Sequence, residues 1–422
     1  MNNLKKSANV VVMMLLTLTL WSQQATNITF NEIPVGGVHR QTDKYVIKAN
    51  GVELPVVDGL CMENGKATRG YLHFDYTTFS ASTGKVTINL KCKDDITSIQ
   101  VSPLKQSIEL RKIDSKTYEF DIPEPVGDEQ YYTIAQINGN RVVIARDAEE
   151  TNVPVPGTAG VFNVADKLVG IDATAMSNTV AVGAAIQSAV NEASAYGLAN
   201  DTQGSVYVPQ GLYYMGNLML KSNTSLYLAA GSVLRFSDNL EDYRNDFRKT
   251  SLDRNGTWWI YTEDQSENIK IYGRGTIDGN GHYLQKDCPS NRRFANNLLM
   301  IMGTQNFVFD GPILKEAAFW GTIVARSNDV VFRNAKFFNS MDANENDGID
   351  VCESQRVRVE KAIGIALDDP FSTKTWAQST DICPNWYGSP EELEDVTFLN
   401  CVSLTYCGAF KCGHGAMQKQ SR

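Results

Sequence analysis

The chain has 422 residues, 42% of them hydrophobic, and a formal net charge of −9. Such a length and apolar content give a folded protein with a large core and room for two domains, and exclude a disordered chain. The acidic balance excludes nonspecific nucleic-acid binding, which needs a basic surface, but allows a local basic groove for an anionic sugar.

At the N-terminus Lys5 and Lys6 precede the apolar run VVVMMLLTLTLW, Val10 to Trp21, and polar SQQATN comes after it. The run is short for a bilayer span and has the layout of a secretory signal, with cleavage expected near Ser22 to Ala25. The first cysteine is Cys61, so no lipid anchor is expected at the cleavage point. Residues 1–25 are read as a signal peptide. The mature chain is expected to be secreted or periplasmic, monomeric and without a membrane span. The eight cysteines lack metal-ligand spacing, although Cys401, Cys407 and Cys412 cluster. Disulfides and buried thiols are both open readings.

Residues 26–157 read as short strands and turns. YVIKANGVELPVV holds two strand-like runs around Asn50-Gly51, and YYTIAQINGNRVVIARD repeats the device at Asn138-Gly139. Such pairs favour the type I′ turn of a two-residue hairpin. KVTINL and YEFDI alternate in the same way. Strands at this spacing predict a small β-sandwich, and NVPVPGTAG reads as the linker after it.

A helix is predicted over NTVAVGAAIQSAVNEASAYG, where Val182, Ile186 and Val190 form one apolar stripe. Asn178 is the expected N-cap and Gly197 the expected stop; the helix should cover one end of the domain after it.

From there to residue 422 a loose repeat runs through TSLYLA, ENIKIYG, QNFVFDG, NDVVFRN, QRVRVEK and EDVTFLN. Their first apolar residues are Leu226, Ile269, Phe307, Val330, Val357 and Val396, at steps of 43, 38, 23, 27 and 39. The short steps match one coil of a parallel β-helix, and the long ones match two coils or one coil with a loop. A β-propeller needs a steadier period. The fold class expected is all-β: a right-handed parallel β-helix over residues 158–422, preceded by the sandwich.

Within that repeat NENDGIDV, Asn344 to Val351, and GIALDDPF, Gly364 to Phe371, hold Glu345, Asp347, Asp350, Asp368 and Asp369. Asp347 and Asp368 are 21 residues apart, so the solenoid period stacks them about 4.8 Å apart on adjacent coils, with Asp369 alongside. Carboxylates held this close separate their pKa values, and glycoside hydrolysis needs one protonated and one ionised carboxyl. A lone aspartate at a solenoid corner commonly only satisfies turn amides. That reading is kept for Asp350, as a buttress, and Glu345 is read as solvated.

These segments resemble the polygalacturonase family of glycoside hydrolases, family 28, and the pectin-lyase-like β-helix proteins around it. The likeness runs from about Gly160 to the end of the chain. It rests on residues 204–234, on IYGRGTIDGNGHYL (271–284), on NDGIDV, on LDDPFSTK, and on AAFWGTIV (317–324) with its pair Phe319 and Trp320. The resemblance implies that Asp368 is the general acid and that Asp347 and Asp369 activate the water. It implies that His414, in the CGHG turn, tunes the acid, and that Lys374 binds a uronate carboxylate. The substrate implied is a polysaccharide, polygalacturonan first, with no cofactor or metal.

The pattern breaks at Glu345, where the motif has Asn, at Leu367 before the aspartate pair, and at Pro370 after it. The family's later Arg-x-Lys motif does not occur, and AMQKQSR ends the sequence where a further coil is expected. The insertion at 376–392 accounts for the long gap between Asp369 and His414. The sandwich-before-helix arrangement also resembles dextranase-type hydrolases, family 49, which cut neutral α-glucans. Two further readings are a calcium-dependent lyase, for which no well-placed arginine follows the acids, and a non-catalytic glycan-binding β-helix.

Overall fold

The computed structural model describes residues 28–421, apart from 31–32, 34–37, 60–72, 83, 127–130, 377–380 and 417. The expected signal peptide lies outside the described residues.

Strands between Ile28 and Ala148 form two sheets, of six and five strands. The expected hairpins are present: Ala49 pairs with Val52 and Ile137 with Asn140, leaving Asn50-Gly51 and Asn138-Gly139 as two-residue turns at positive φ. Ile47, Leu90 and Phe120 of one sheet pack on Phe79, Val142 and Ile144 of the other, which makes a sandwich. The six-stranded sheet is apolar on both faces. Its second face carries Phe74, Tyr76, Tyr132 and Val143 onto Ile313, Phe338, Ile363 and Ile365 of the next domain.

From Val161 onward three sheets, of nine, seven and eight strands, parallel except for Phe247–Lys249 against Arg254–Thr262, wind into a right-handed β-helix, the hand that parallel crossovers take. One sheet contains every repeat predicted from the sequence. Ile269 pairs with Phe307, Phe307 with Val330, Val330 with Val357, and Val357 with Val396, so each of these steps is a single coil. The first step is offset by two residues, because Leu226 pairs with Ile271 and not with Ile269. Long steps are coils with loops, and no step is two coils. Asn268, Asn306, Asp329, Arg356 and Asp395 occupy one position near the start of the strand in successive coils, all at positive φ. Asn and Asp tolerate that conformation best, which explains the polar residue ahead of each apolar run.

The helix spans Thr179–Asn200 and covers the first coil with Val182, Ile186 and Val190. One expectation about its ends holds in position and the other fails. Asn178 is the N-cap residue, but its side chain makes no capping bond and its amide donates to the Asp172 carbonyl instead. Gly197 lies inside the helix, and left-handed Asp201 ends it. A Cβ on Gly197 would lie 2.4 Å from the Asn223 carbonyl oxygen, so this glycine serves close packing rather than termination.

Charged groups buried at the seam join the two domains. Lys336 Nζ lies 2.9 Å from Asp147, and Arg274 lies 3.6 Å from the same carboxylate. Asp278, in the IDG of the 271–284 motif, accepts from Arg235 at 2.6 Å and pairs with His39 of the sandwich at 2.7 Å. That motif is therefore structural at its aspartate.

Candidate active site

The acids gather at one end of the eight-stranded sheet, whose relevant strands are Arg254–Thr262, Ala295–Met302, Thr322–Ala325, Ile349–Cys352, Phe371–Thr375 and Lys411–Ala416. Alternation sends Ile301, Val324 and Val351 into the central core. It sends Met302, Ala325 and Cys352 to the outer face. Asp350 shares the outer face with Cys352, two residues on.

The stacking differs by one residue from that predicted. Ile349 pairs with Phe371, and the Gly348 amide donates to the Asp369 carbonyl at 3.0 Å. The coil step is therefore 22, and Asp347 is level with Asp369 rather than Asp368. A Cβ at Gly348 would meet the Pro370 carbonyl oxygen at 2.3 Å, so the D-G-I-D glycine lets the two acidic turns approach. Buried Asn346 joins the same turns, because its Oδ1 accepts from the Leu367 and Asp368 amides at 3.1 and 3.4 Å. Asn339 Nδ2 donates to the carbonyls of Asn346 and Asp347, which fixes the first turn from behind.

Each acid has its own surroundings. Asp369 is 1% exposed; its Oδ2 pairs with Lys411 Nζ at 2.5 Å and its Oδ1 accepts from the Gly408 amide at 3.0 Å. Burial opposes its charge, but the ammonium and the amide outweigh burial and hold the carboxyl below its usual range. Asp347 is 2% exposed, with Oδ2 2.7 Å from Lys374 and Oδ1 without a partner. Burial and then neighbouring Asp350 hold it well above the usual range, against the pull of Lys374. Asp368 is half-buried and makes no ion pair among the described residues. Its carbonyl is held by Thr405 Oγ1 at 2.5 Å.

The assignment of Lys374 to a substrate carboxylate does not fit its position. Lys374 is 2% exposed, its ammonium is shared by Asp347 and Asp350, and it lies 3.6 Å from the Trp320 ring centroid. The physical reason is the insertion. Ile382, Cys383 and Trp386 pack on Phe319, Trp320, Ile323 and Cys352 and cover the outer face. The insertion is pinned by Asp381 accepting from the Thr250 amide, and by Arg326 donating to the Tyr387 and Gly388 carbonyls. Asp350 is likewise more than a turn buttress, since it completes the buried group with Lys374 and Ser372.

His414 lies on Lys411–Ala416, and its side chain is outside the described residues. The pairing there shifts: Thr373 faces Cys412 but Thr375 faces Ala416, so Gly413, His414 and Gly415 bulge opposite Lys374. Nothing in the sequence marks Lys411 except its place as a basic residue shortly before Gly-His-Gly.

Among the described residues two groups have ligand atoms close enough for a cation, all within 4.8 Å of one another: Asp58, His73 and Asp75, and Asp368, Asp369 and Cys407. In each a lysine already meets one carboxylate: Lys44 meets Asp75 and Lys411 meets Asp369. Burial and hydrogen bonds to Asp368 and Asp369 push the Cys407 thiol up to about 11, so it stands beside the acids as a thiol. The seven described cysteines form no disulfide.

The fold and this cluster define a parallel β-helix with an acidic site at one end of a sheet. The family model of glycosyl hydrolases family 28 matches residues 200–388, which include Asp347, Asp368 and Asp369. An exo-poly-alpha-D-galacturonosidase of Dickeya chrysanthemi is 24% identical over 39% of this chain and 36% of its own length. A probable polygalacturonase of Vitis vinifera is 23% identical over 52% of this chain and 45% of its own. The chain thus spans less than half of either relative. A family 28 exopolygalacturonase structure from Yersinia enterocolitica aligns with a TM-score of 0.47 and 18% identity, over 79% of this chain and 69% of that one. No described helix is long and apolar enough to cross a membrane.

Proposed function

We propose that this chain is an exported glycoside hydrolase that cleaves polygalacturonan with inversion. Asp369 is the base that holds the attacking water, and Asp368 delivers the proton to the leaving oxygen. Asp347, level with Asp369 on the preceding coil, completes the acidic wall. The observation that carries this reading is the contrast around Asp369 and Asp368. One carboxylate is locked in its charged form by Lys411 and the Gly408 amide, and the residue before it is an accessible carboxyl with no cation on it. An inverting mechanism needs that division of roles. The names of the relatives support the choice of substrate.

The test is incubation with polygalacturonate and with dextran, reading reducing ends and the anomeric configuration of the first product. Reducing ends from polygalacturonate, of inverted configuration and abolished by Asp369→Asn, are expected. Release from dextran alone would reject the polyuronate substrate. Unsaturated, ultraviolet-absorbing products would make the protein a lyase. Binding of either glycan without turnover would make it a glycan-binding β-helix.

A further inference from the structure

We infer that Arg254 and Arg293 form a second subsite, which takes the carboxylate of a sugar residue lying upstream of the acids along the helix axis. The inference rests on the proposed polyuronate substrate. It also supplies a cation for that substrate, since Lys374 is enclosed between two carboxylates.

The two arginines stand at the entries of neighbouring strands on adjacent coils. Gly256 pairs with Ala295, and Arg254 and Arg293 each stand two residues ahead of that pair. A Cβ on Gly256 would strike the Phe247 ring, which belongs to the outer cluster, so this register faces outward. Arg254 opens its strand two residues before Gly256, so alternation gives it the same outward face, and Arg293, just ahead of the strand Ala295–Met302, is near enough to act on its charge. Arg254 lies on the sheet that carries Asp350, and Arg293 leads into it, with the strand Ala295–Met302 two coils, roughly 10 Å, from the strand Ile349–Cys352.

Neither guanidinium meets a carboxylate within ion-pair distance among the described residues. Arg254 is 7% exposed, its Nη1 has no hydrogen-bond partner, and its Nε makes one long contact to the Leu252 carbonyl at 3.4 Å. Arg293 is exposed beside it. The nearby acid, Glu345, is paired with Lys249 at 3.6 Å. Two adjacent guanidiniums repel, and burial together with Arg293 lowers the pKa of Arg254. A buried, unpaired donor next to a second, solvent-reaching cation is the arrangement that a bidentate carboxylate relieves. The buried cations Lys374, Lys336 and Arg235 are each met by a carboxylate, and this pair of arginines is not.

Calorimetric titration with trigalacturonate and with its methyl ester tests the inference, in the Asp369→Asn background to prevent turnover. The acid is expected to bind more tightly than the ester. Arg293→Ala, a surface change that spares the fold, should weaken the acid about tenfold or more and leave the ester unchanged. Arg254→Lys, which keeps the charge but loses the fork, should weaken the acid less. Equal affinity of Arg293→Ala and its parent for the acid would overturn the subsite. If the wild type then still releases reducing ends from polygalacturonate, only this inference falls. If polygalacturonate is neither bound nor cleaved, both readings fall together.

Discussion

Lys411 meets Asp369 at 2.5 Å from the following coil, and the Gly408 amide meets the other oxygen of the same carboxylate. The loop between Thr405 and Lys411 thus sets the charge of an acid 42 residues before Lys411 in the chain. It lies after the 200–388 segment that matches the family.

Removing that cation should move a pH profile. Lys411 lowers the folded-state pKa of Asp369, so Lys411→Met raises it. A base must be ionised to act, so the acidic limb of kcat/KM should shift to higher pH, while Asp369→Asn should lose about 10²–10⁴ of the rate at every pH. An unchanged acidic limb in Lys411→Met would remove Asp369 from the role of base.

Lys374 and Asp347 should give opposite stability effects. Lys374→Met leaves two buried carboxylates without their cation, and breaking a buried pair in this way costs about 3–5 kcal/mol. Asp347 behaves differently because its folded-state pKa is raised. A raised carboxyl pKa means that the folded state binds the proton more tightly, so stability falls as pH rises through the folded value. Asp347→Asn is therefore expected to be more stable than the wild type at neutral pH while losing activity. The gain should vanish below the ordinary aspartate pKa of about 3.9. Urea midpoints at neutral and acidic pH measure both variants.

The seam between the domains should unfold with the β-helix. Every described tryptophan lies in the β-helix, between Trp258 and Trp386, so tryptophan fluorescence reports that domain alone. Asp147→Ala, in the sandwich, strands Lys336 and Arg274 in a buried seam and is expected to destabilise by about 3–5 kcal/mol. The tryptophan-reported midpoint should fall with it. A midpoint that stays in place would mean that the two domains unfold separately.

Much of this architecture was legible from local pattern. The hairpins at Asn50-Gly51 and Asn138-Gly139 come from turn stereochemistry, and the solenoid comes from apolar alternation at Ile269, Phe307, Val330, Val357 and Val396. Period counting missed the offset at Leu226 and placed Asp347 beside Asp368, because loops between sheets change coil length without changing the strands. The helix end was misjudged at Gly197, where a close contact to Asn223 needed a glycine.

Side-chain partners were harder to read. The resemblance implies that Lys374 is a substrate ligand, yet Ile382, Cys383 and Trp386 pack over the outer face and Lys374 is closed between Asp347 and Asp350. Lys411, Arg254 and Arg293 have no motif to mark them, because their roles come from neighbours on other coils.

The sequence by itself determined the β-helix, the sandwich before it and the presence of an acidic cluster, since alternation, turn residues and repeat length are local properties of the chain. Which acid is charged, which lysine is enclosed and which arginines stand unpaired was decided only by the tertiary structure. Burial and ion pairing depend on what the adjacent coil and the folded-back loop bring within a few ångströms, and linear spacing does not carry that distance.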